Sequence, residues 1–290
     1  MQQIKPGIYY EDGYLGVTLG ALVFTHGVII IDAPLRPEDA RAWRAALTSL
    51  RGGSARLLVS LDAHLDRTLG TRAMECTVVA HQKTAQVYRN RPLIFKGQGT
   101  ETGGDWESYD DAIGTRWTSP DITFSDQMTM NWGGAPVVLS YHPGPTSGSI
   151  WVAVPSAGVL FLGDAVSPNQ PPFLAQADLP AWIETLNGLA AYKDYTLISG
   201  RGGMITLDVA RQQQKYLKTI HRSLERLAKR NAAPEATANL VPSLLSDITF
   251  PEKFREQYTQ RLQSGLYQYY IRFYRQENAI EQPEFEESES

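Results

Sequence analysis

The stretch Leu57-Leu58-Val59-Ser60-Leu61-Asp62-Ala63-His64-Leu65-Asp66-Arg67 decides how this chain is read. Its first half is a short apolar run of the kind that forms a buried strand. Its second half puts Asp62, His64, Asp66 and Arg67 where the chain must leave the sheet. A hydrophobic strand thus delivers a cluster of ionisable side chains at its C-terminal end.

Working outward from that strand, the residues before it predict sheet and helix in alternation. Ala21-Leu22-Val23-Phe24 and Val28-Ile29-Ile30-Ile31 are apolar runs separated by Gly-containing turns, which suits antiparallel hairpins. Pro37 then opens a helix running to about Leu50, with Glu38 and Asp39 in its first turn and Gly52-Gly53 just past its end. After the central stretch, Thr77-Val78-Val79-Ala80 predicts a strand and His81 to Arg89 a helix. The segment from Arg91 to Thr118 is rich in Gly, Thr and Asp and predicts a long surface loop or lid. Strands resume at Ile122–Phe124, Pro136–Leu139, Ile150–Val154 and Val159–Leu162, followed by a helix from Leu179 to about Ala191 and a strand at Thr196–Ile198. Beyond Met204 the pattern turns helical, with Leu217, Ile220, Leu224 and Leu227 on one face and Phe254, Tyr258, Leu262, Leu266 and Tyr270 at steps of four. The organisation expected is an α/β domain over 1–205, a helical C-terminal region over 206–276 and an acidic, disordered tail over 277–290.

Composition bounds the function. A chain of 290 residues with 42% hydrophobic and 20% charged residues has ample material for a core, and a net charge of −4 offers nothing to a nucleic acid. Cys76 is the only cysteine, which excludes an internal disulfide and a cysteine-based zinc cluster and suits a reducing compartment. The first residues carry no basic-then-apolar leader, and no stretch reaches the roughly 20 apolar residues of a membrane span. The expectation is a cytoplasmic protein whose partner is a small molecule.

The central stretch, read with Pro143-Gly144-Pro145-Thr146-Ser147-Gly148-Ser149 and the later Gly163-Asp164, resembles the metallo-β-lactamase superfamily, which carries H-x-H-x-D-H, P-G-H-T-x-G-S and G-D in that order. Val28–Asp32 resembles the family's early strand ending in Asp, and Ile198-Ser199-Gly200-Arg201-Gly202 its late P/S-G-H-G. The resemblance runs from the N-terminus to about residue 205. It implies an αββα sandwich, here with a helical C-terminal extension, and hydrolase ancestry.

The resemblance also implies a ligand set, and this chain departs from it. Carried over position by position, the first metal falls to Asp62, His64 and Pro145, the second to Asp66, Arg67 and Arg201, and the bridge to Asp164. Only His64, Asp66 and Asp164 keep the family's residue. Proline has no side-chain donor and arginine stays protonated, so Pro145, Arg67 and Arg201 cannot coordinate a cation. The two guanidinium groups are instead suited to replace the metals' charge among Asp62, Asp66 and Asp164.

Three readings follow. The first is a metal-free chain with its catalysis weakened or lost and its pocket kept for a small molecule. The second is a hydrolase of an ester, lactone, thioester or phosphoester using one manganese, iron or zinc ion on Asp62, His64 and Asp164, with Asp66 as a further candidate ligand. The third is metal-free hydrolysis with His64 as general base, Asp62 or Asp66 orienting it, and Arg67 or Arg201 stabilising an oxyanion. Trp106, Tyr109 and Phe173 are candidate walls of the cleft. Asp32 either steadies the cleft or begins a turn, and His142 has a small claim to replace the ligand missing at Pro145. The C-terminal aromatics Tyr267, Tyr269, Tyr270, Phe273 and Tyr274 predict packing against a core or, in a homodimer, a second subunit.

Overall fold

A computed structural model describes residues 1–50, 52–97 and 101–275, and the expected acidic tail lies outside these. The chain opens with an antiparallel meander, β1 (Gln2–Lys5), β2 (Ile8–Glu11), β3 (Leu19–Val23) and β4 (Gly27–Ile31), and then forms α1 (Pro37–Thr48). Next come β5 (Ala55–Val59), β6 (Thr77–His81), α2 (Gln82–Asn90) and β7 (Ile122–Phe124), with β4 to β7 mutually parallel. These seven strands make one sheet, in sequence order from β1 to β7.

The second sheet uses β8 (Gln127–Met130), β9 (Val137–Tyr141), β10 (Ile150–Val154) and β11 (Val159–Phe161) as an antiparallel run. After α3 (Leu179–Asn187), β12 (Thr196–Ile198) pairs in parallel with β11 and then antiparallel with β13 (Met204–Ile205). Three helices end the described chain: α4 (Leu207–Lys229), α5 (Val241–Ser246) and α6 (Arg255–Tyr274). Sequence reading anticipated α1 to α4, α6 and the central strands, but not the polar edge strands β1 and β8 or the two-residue β13.

Side-chain alternation explains the layering. Ile29, Ile31, Val59 and Val79 from the first sheet meet Leu139, Val152, Phe161 and Ile198 from the second in one buried cluster. The opposite face of the first sheet, with Val28, Ile30, Leu58 and Val78, is covered by Trp43 and Leu47 of α1. On the outer face of the second sheet, Trp151, Leu160 and Leu197 are covered by Trp182 of α3, Leu217 and Leu224 of α4, and Leu262 and Leu266 of α6. The order helix, sheet, sheet, helix is therefore the expected αββα sandwich, with the C-terminal helices sharing the core of its second sheet. Burying one such aliphatic side chain stabilises by about 1.5–3 kcal/mol, so the stripe on α4 anchors that region firmly.

The aromatic surface of α6 is largely spent on this packing: Tyr258, Tyr269 and Tyr270 are buried, while Phe273 stays exposed. Among the described residues no helix is long and apolar enough to cross a membrane. The segment 91–118 contains two short 3₁₀ turns, at 105–108 and 110–112, and an isolated bridge between Ile94 and Arg116. Glu107 pins it locally by accepting from the Thr102 and Gly103 amides at 2.6 and 3.0 Å.

Candidate functional site

Strand ends build the site. β4 finishes at Ile31, and Asp32 takes a positive φ of 57°, a conformation that aspartate tolerates better than most residues. This turn sets its carboxylate beneath the loop after β5, where Oδ1 accepts from the Leu61 amide at 2.9 Å. The loop is fixed from the other sheet too, since the Ile150 amide donates to the Leu61 carbonyl at 2.9 Å. Asp62 Oδ1 then accepts from the His64 amide at 2.9 Å, and a 3₁₀ turn over Leu65–Arg67 rotates Asp66 and Arg67 inward. Asp164 enters from the turn after β11 and Arg201 from the turn after β12. Gly200 is required here by close approach: a Cβ would lie 2.6 Å from the Gly163 carbonyl carbon and 2.8 Å from Arg67 Nη2. In the Pro143–Ser149 loop, Gly144 is held as tightly, its Cβ position lying 2.7 Å from Trp182 Cα.

The charged groups form a continuous network. Arg67 is completely buried and binds Asp32 through Nη1 and Asp164 through Nη2, with its Nε 3.1 Å from Asp62 Oδ1. Arg201 reaches Asp164 through Nε at 3.1 Å and Nη2 at 3.2 Å. Its Nη1 lies 3.0 Å from Asp66 Oδ2 and 2.9 Å from Asp105 Oδ2. His64 Nδ1 sits between two carboxylates, 2.8 Å from Asp164 Oδ2 and 3.1 Å from Asp62 Oδ2. Phe173 stacks beneath the cations, its ring centre 4.6 Å from the Arg201 guanidinium and 4.1 Å from that of Arg261.

Electrostatics follow from this geometry. Burial alone would push the His64 imidazole down, but Asp62 and Asp164 push it up to about 9. Burial likewise opposes ionisation of Asp164, and the Arg201 and Arg67 guanidiniums overcome it, holding the carboxyl well below its usual range. Asp32 is raised to about 6 because burial outweighs its pairing with Arg67. Burial also raises Asp66, against the pull of Arg201.

Of the residues expected at the site, Asp62, His64, Arg67, Asp164 and Arg201 converge, and Asp32 joins them as an acceptor. Asp62, His64 and Asp164 offer one ligand atom each within 4.8 Å of one another, a group that could hold a cation. Asp66 stands apart from that trio because its carboxylate faces Arg201 and accepts from the Trp106 amide at 2.8 Å. Trp106 and Phe173 line a cavity of about 610 Å³ beside His64. Tyr109 does not: it packs under the loop beside Arg36, and its hydroxyl donates to Glu38 at 3.3 Å. His142 is also elsewhere, stacked on Trp151 at 3.7 Å and hydrogen-bonded to Ser140.

Two members of the network escaped the sequence reading. Asp105 sits in the pattern-poor loop and carried no signal. Arg261 left a faint one: it lies one turn after Tyr258 on the buried side of α6, where a lone cation implies a buried partner. It donates to the Gly103 carbonyl at 2.8 Å and to Gln170 at 2.7 Å, and lies 3.6 Å from Asp105.

The layered sheets, the strand-end cluster and the glycine-tight loops together define a protein of the metallo-β-lactamase fold. Residues 72–201, a little under half of the chain, match the family model of the metallo-beta-lactamase superfamily. Among solved structures it is similar to a metallo-beta-lactamase from Pontibacter korlensis, at 17% identity and a TM-score of 0.60 over 75% of this chain and 97% of that one. It is also similar to the stereoselective inverting sec-alkylsulfatase Pisa1 from Pseudomonas sp., at 15% identity and a TM-score of 0.66. That likeness covers 97% of this chain, which spans 51% of the sulfatase. The metallo-beta-lactamase IND-7 gives 18% identity and a TM-score of 0.57 over 75% of this chain and 96% of that one. No curated protein matches the sequence. At these identities the likeness is one of fold.

Proposed function

We propose that this chain is a metallo-β-lactamase-fold protein whose buried arginines take over the charge of the metals, leaving a metal-free pocket that binds a small molecule, with hydrolytic capacity weakened or lost. The observation that carries this reading is the double capture of Asp164. The carboxylate at the bridging position is bound by Arg67 and by Arg201 at once, and each guanidinium goes on to a further carboxylate. A dinuclear centre does not fit residues of this chemistry, because Pro145, Arg67 and Arg201 supply no lone pair.

One divalent ion on Asp62, His64 and Asp164 is the second reading, favoured by their mutual reach of 4.8 Å. Against it, Arg67 already pairs with both carboxylates, and His64 holds a proton on the nitrogen that faces them. That proton also disfavours His64 as general base, since an imidazole raised to about 9 has no free lone pair at neutral pH. The cavity volume of about 610 Å³ falls within the range of small-molecule sites. The single cysteine supports a reducing compartment, and we place the protein in the cytoplasm.

Elemental analysis after exchange into metal-free buffer, on the native chain and on His64→Ala, tests the reading. The expected result is no stoichiometric metal in either. About one equivalent of manganese, iron or zinc in the native chain, lost in the variant, would replace this reading with the mononuclear one.

A further inference from the structure

The cavity beside His64 has a chemical bias that the ion-pair cluster does not account for. Aromatic rings crowd it: Phe95 meets Trp106 edge-on at 5.1 Å and Trp117 at 5.7 Å, and Phe173 adds a further ring. Arg91 lies among them, with its guanidinium carbon 4.6 Å from the centre of the Trp117 ring. Its Nη2 donates to the Ala63 carbonyl, which fixes the guanidinium in place. Nη1 is left buried with no hydrogen-bond partner among the described residues, and Trp117 Nε1 is in the same state.

Buried polar atoms are normally paired, because an unmade hydrogen bond costs the full desolvation of the group. With His64 Nε2, which is likewise buried and unpartnered, three such nitrogens sit on residues lining one cavity and mark a place for an acceptor from outside. The described lining offers that acceptor no free carboxylate as a competitor. Asp66 is the sole carboxylate among the described lining residues, and it is already taken by Arg201 and the Trp106 amide. Lys96, exposed, adds a second cation to the lining.

We propose that this cavity binds a small organic carboxylate with a flat apolar body, the carboxylate received by Arg91 and the Trp117 indole N–H, the body by the rings of Phe95, Trp106 and Phe173. The inference rests on the pocket-binding reading above and names its ligand class. Arginine matches a carboxylate in charge and in fork geometry, and a guanidinium already held against Trp117 and Ala63 loses little freedom on binding. A neutral ligand of the same shape keeps the ring contacts but forfeits the charge-assisted bonds.

The test uses 2-naphthoate and its neutral isostere 2-naphthamide, titrated into the full chain by calorimetry and by the fluorescence of Trp106 and Trp117. The acid should bind saturably and the amide at least about tenfold more weakly. Arg91→Gln should weaken the acid about tenfold while leaving the amide within about twofold. Trp117→Phe, which keeps the ring and removes the N–H, should shift the acid in the same direction and serves if the Arg91 variant fails to fold. Absence of saturable binding of the acid, or equal affinity for acid and amide, overturns the proposal. Repeating the titration after chelation separates it from the reading on which it rests. Binding unchanged by chelator supports both, whereas an acid-over-amide preference that needs added manganese or zinc overturns the metal-free reading and leaves the ligand class standing.

Discussion

His64 should make this protein less stable as the solution turns alkaline, and the size of the effect follows from the site. The imidazole rises from its ordinary value of 6.5 to about 9 because Asp62 and Asp164 flank Nδ1 at 3.1 and 2.8 Å. A group raised on folding contributes stability that is complete below its unfolded value and is lost as pH climbs through the folded one. Each pH unit between those two values is worth about 1.4 kcal/mol, so the whole contribution is about 3 kcal/mol, and about 2 kcal/mol of it disappears between pH 6 and about pH 8.5. That window stops short of Cys76, whose thiol burial pushes up to about 11. Urea unfolding at the two ends of the window, on the native chain and on His64→Gln, measures the difference directly. The native chain should lose about 2 kcal/mol and the variant almost none. Equal losses in both would show that His64 is not the responsible group. A native stability that rises with pH would mean a neutral imidazole in the folded state, as a metal ligand would be, and would refute the protonated cluster altogether.

Arg67→Met should destabilise by about 3–5 kcal/mol in urea unfolding, because it strips buried Asp32, Asp62 and Asp164 of a shared counter-charge. Gly200→Ala should cost about 1–3 kcal/mol, read as a fall in thermal midpoint, since its Cβ would lie 2.6 Å from the Gly163 carbonyl carbon. The double variant Arg67→His with Arg201→His places two imidazoles beside Asp66 and Asp164 and should acquire about one equivalent of zinc by elemental analysis, against none expected in the native chain.

The sequence was most legible where one residue type had one physical meaning. An apolar run ending in Asp62, His64, Asp66 and Arg67 could only be a buried strand releasing its polar end, and β5 with its following turn is that. Proline and arginine at ligand positions spoke as clearly, since their chemistry excludes coordination in any fold. Edge strands were harder. Gln2–Lys5 is mostly exposed and Gln127–Met130 only partly buried, so neither carries the apolar pattern that marks a central strand. Asp105 was illegible for a different reason: its partner Arg201 lies 96 residues away and the two meet only because unrelated loops share one end of the sandwich. Tyr109, in the same loop, looked equally suited to the cleft, yet the 3₁₀ turns that begin at Asp105 turn it toward Glu38.

Charge balance explains why these substitutions belong together. Five carboxylates meet at the site: Asp32, Asp62, Asp66, Asp105 and Asp164. They face three guanidiniums, of Arg67, Arg201 and Arg261, and one protonated imidazole of His64. Four positive charges are what two divalent cations would supply, so on the proposed metal-free reading the cluster matches the charge of a dinuclear site. No single change achieves this. Arg67 alone would leave Asp66 without its ion pair, and Arg201 alone would leave Asp32 buried and unpaired, each costing several kcal/mol. Arg261, reaching in from α6, ties the same balance to the C-terminal helices, which are thereby part of the site and not only a cover for the second sheet. The carboxylates of this cluster are thus spent on cations, while buried nitrogens without partners gather on the adjoining cavity, His64 Nε2 at its edge and Arg91 Nη1 and Trp117 Nε1 beyond it. On the metal-free reading proposed above, that arrangement assigns ligand binding to the cavity rather than to the carboxylate cluster.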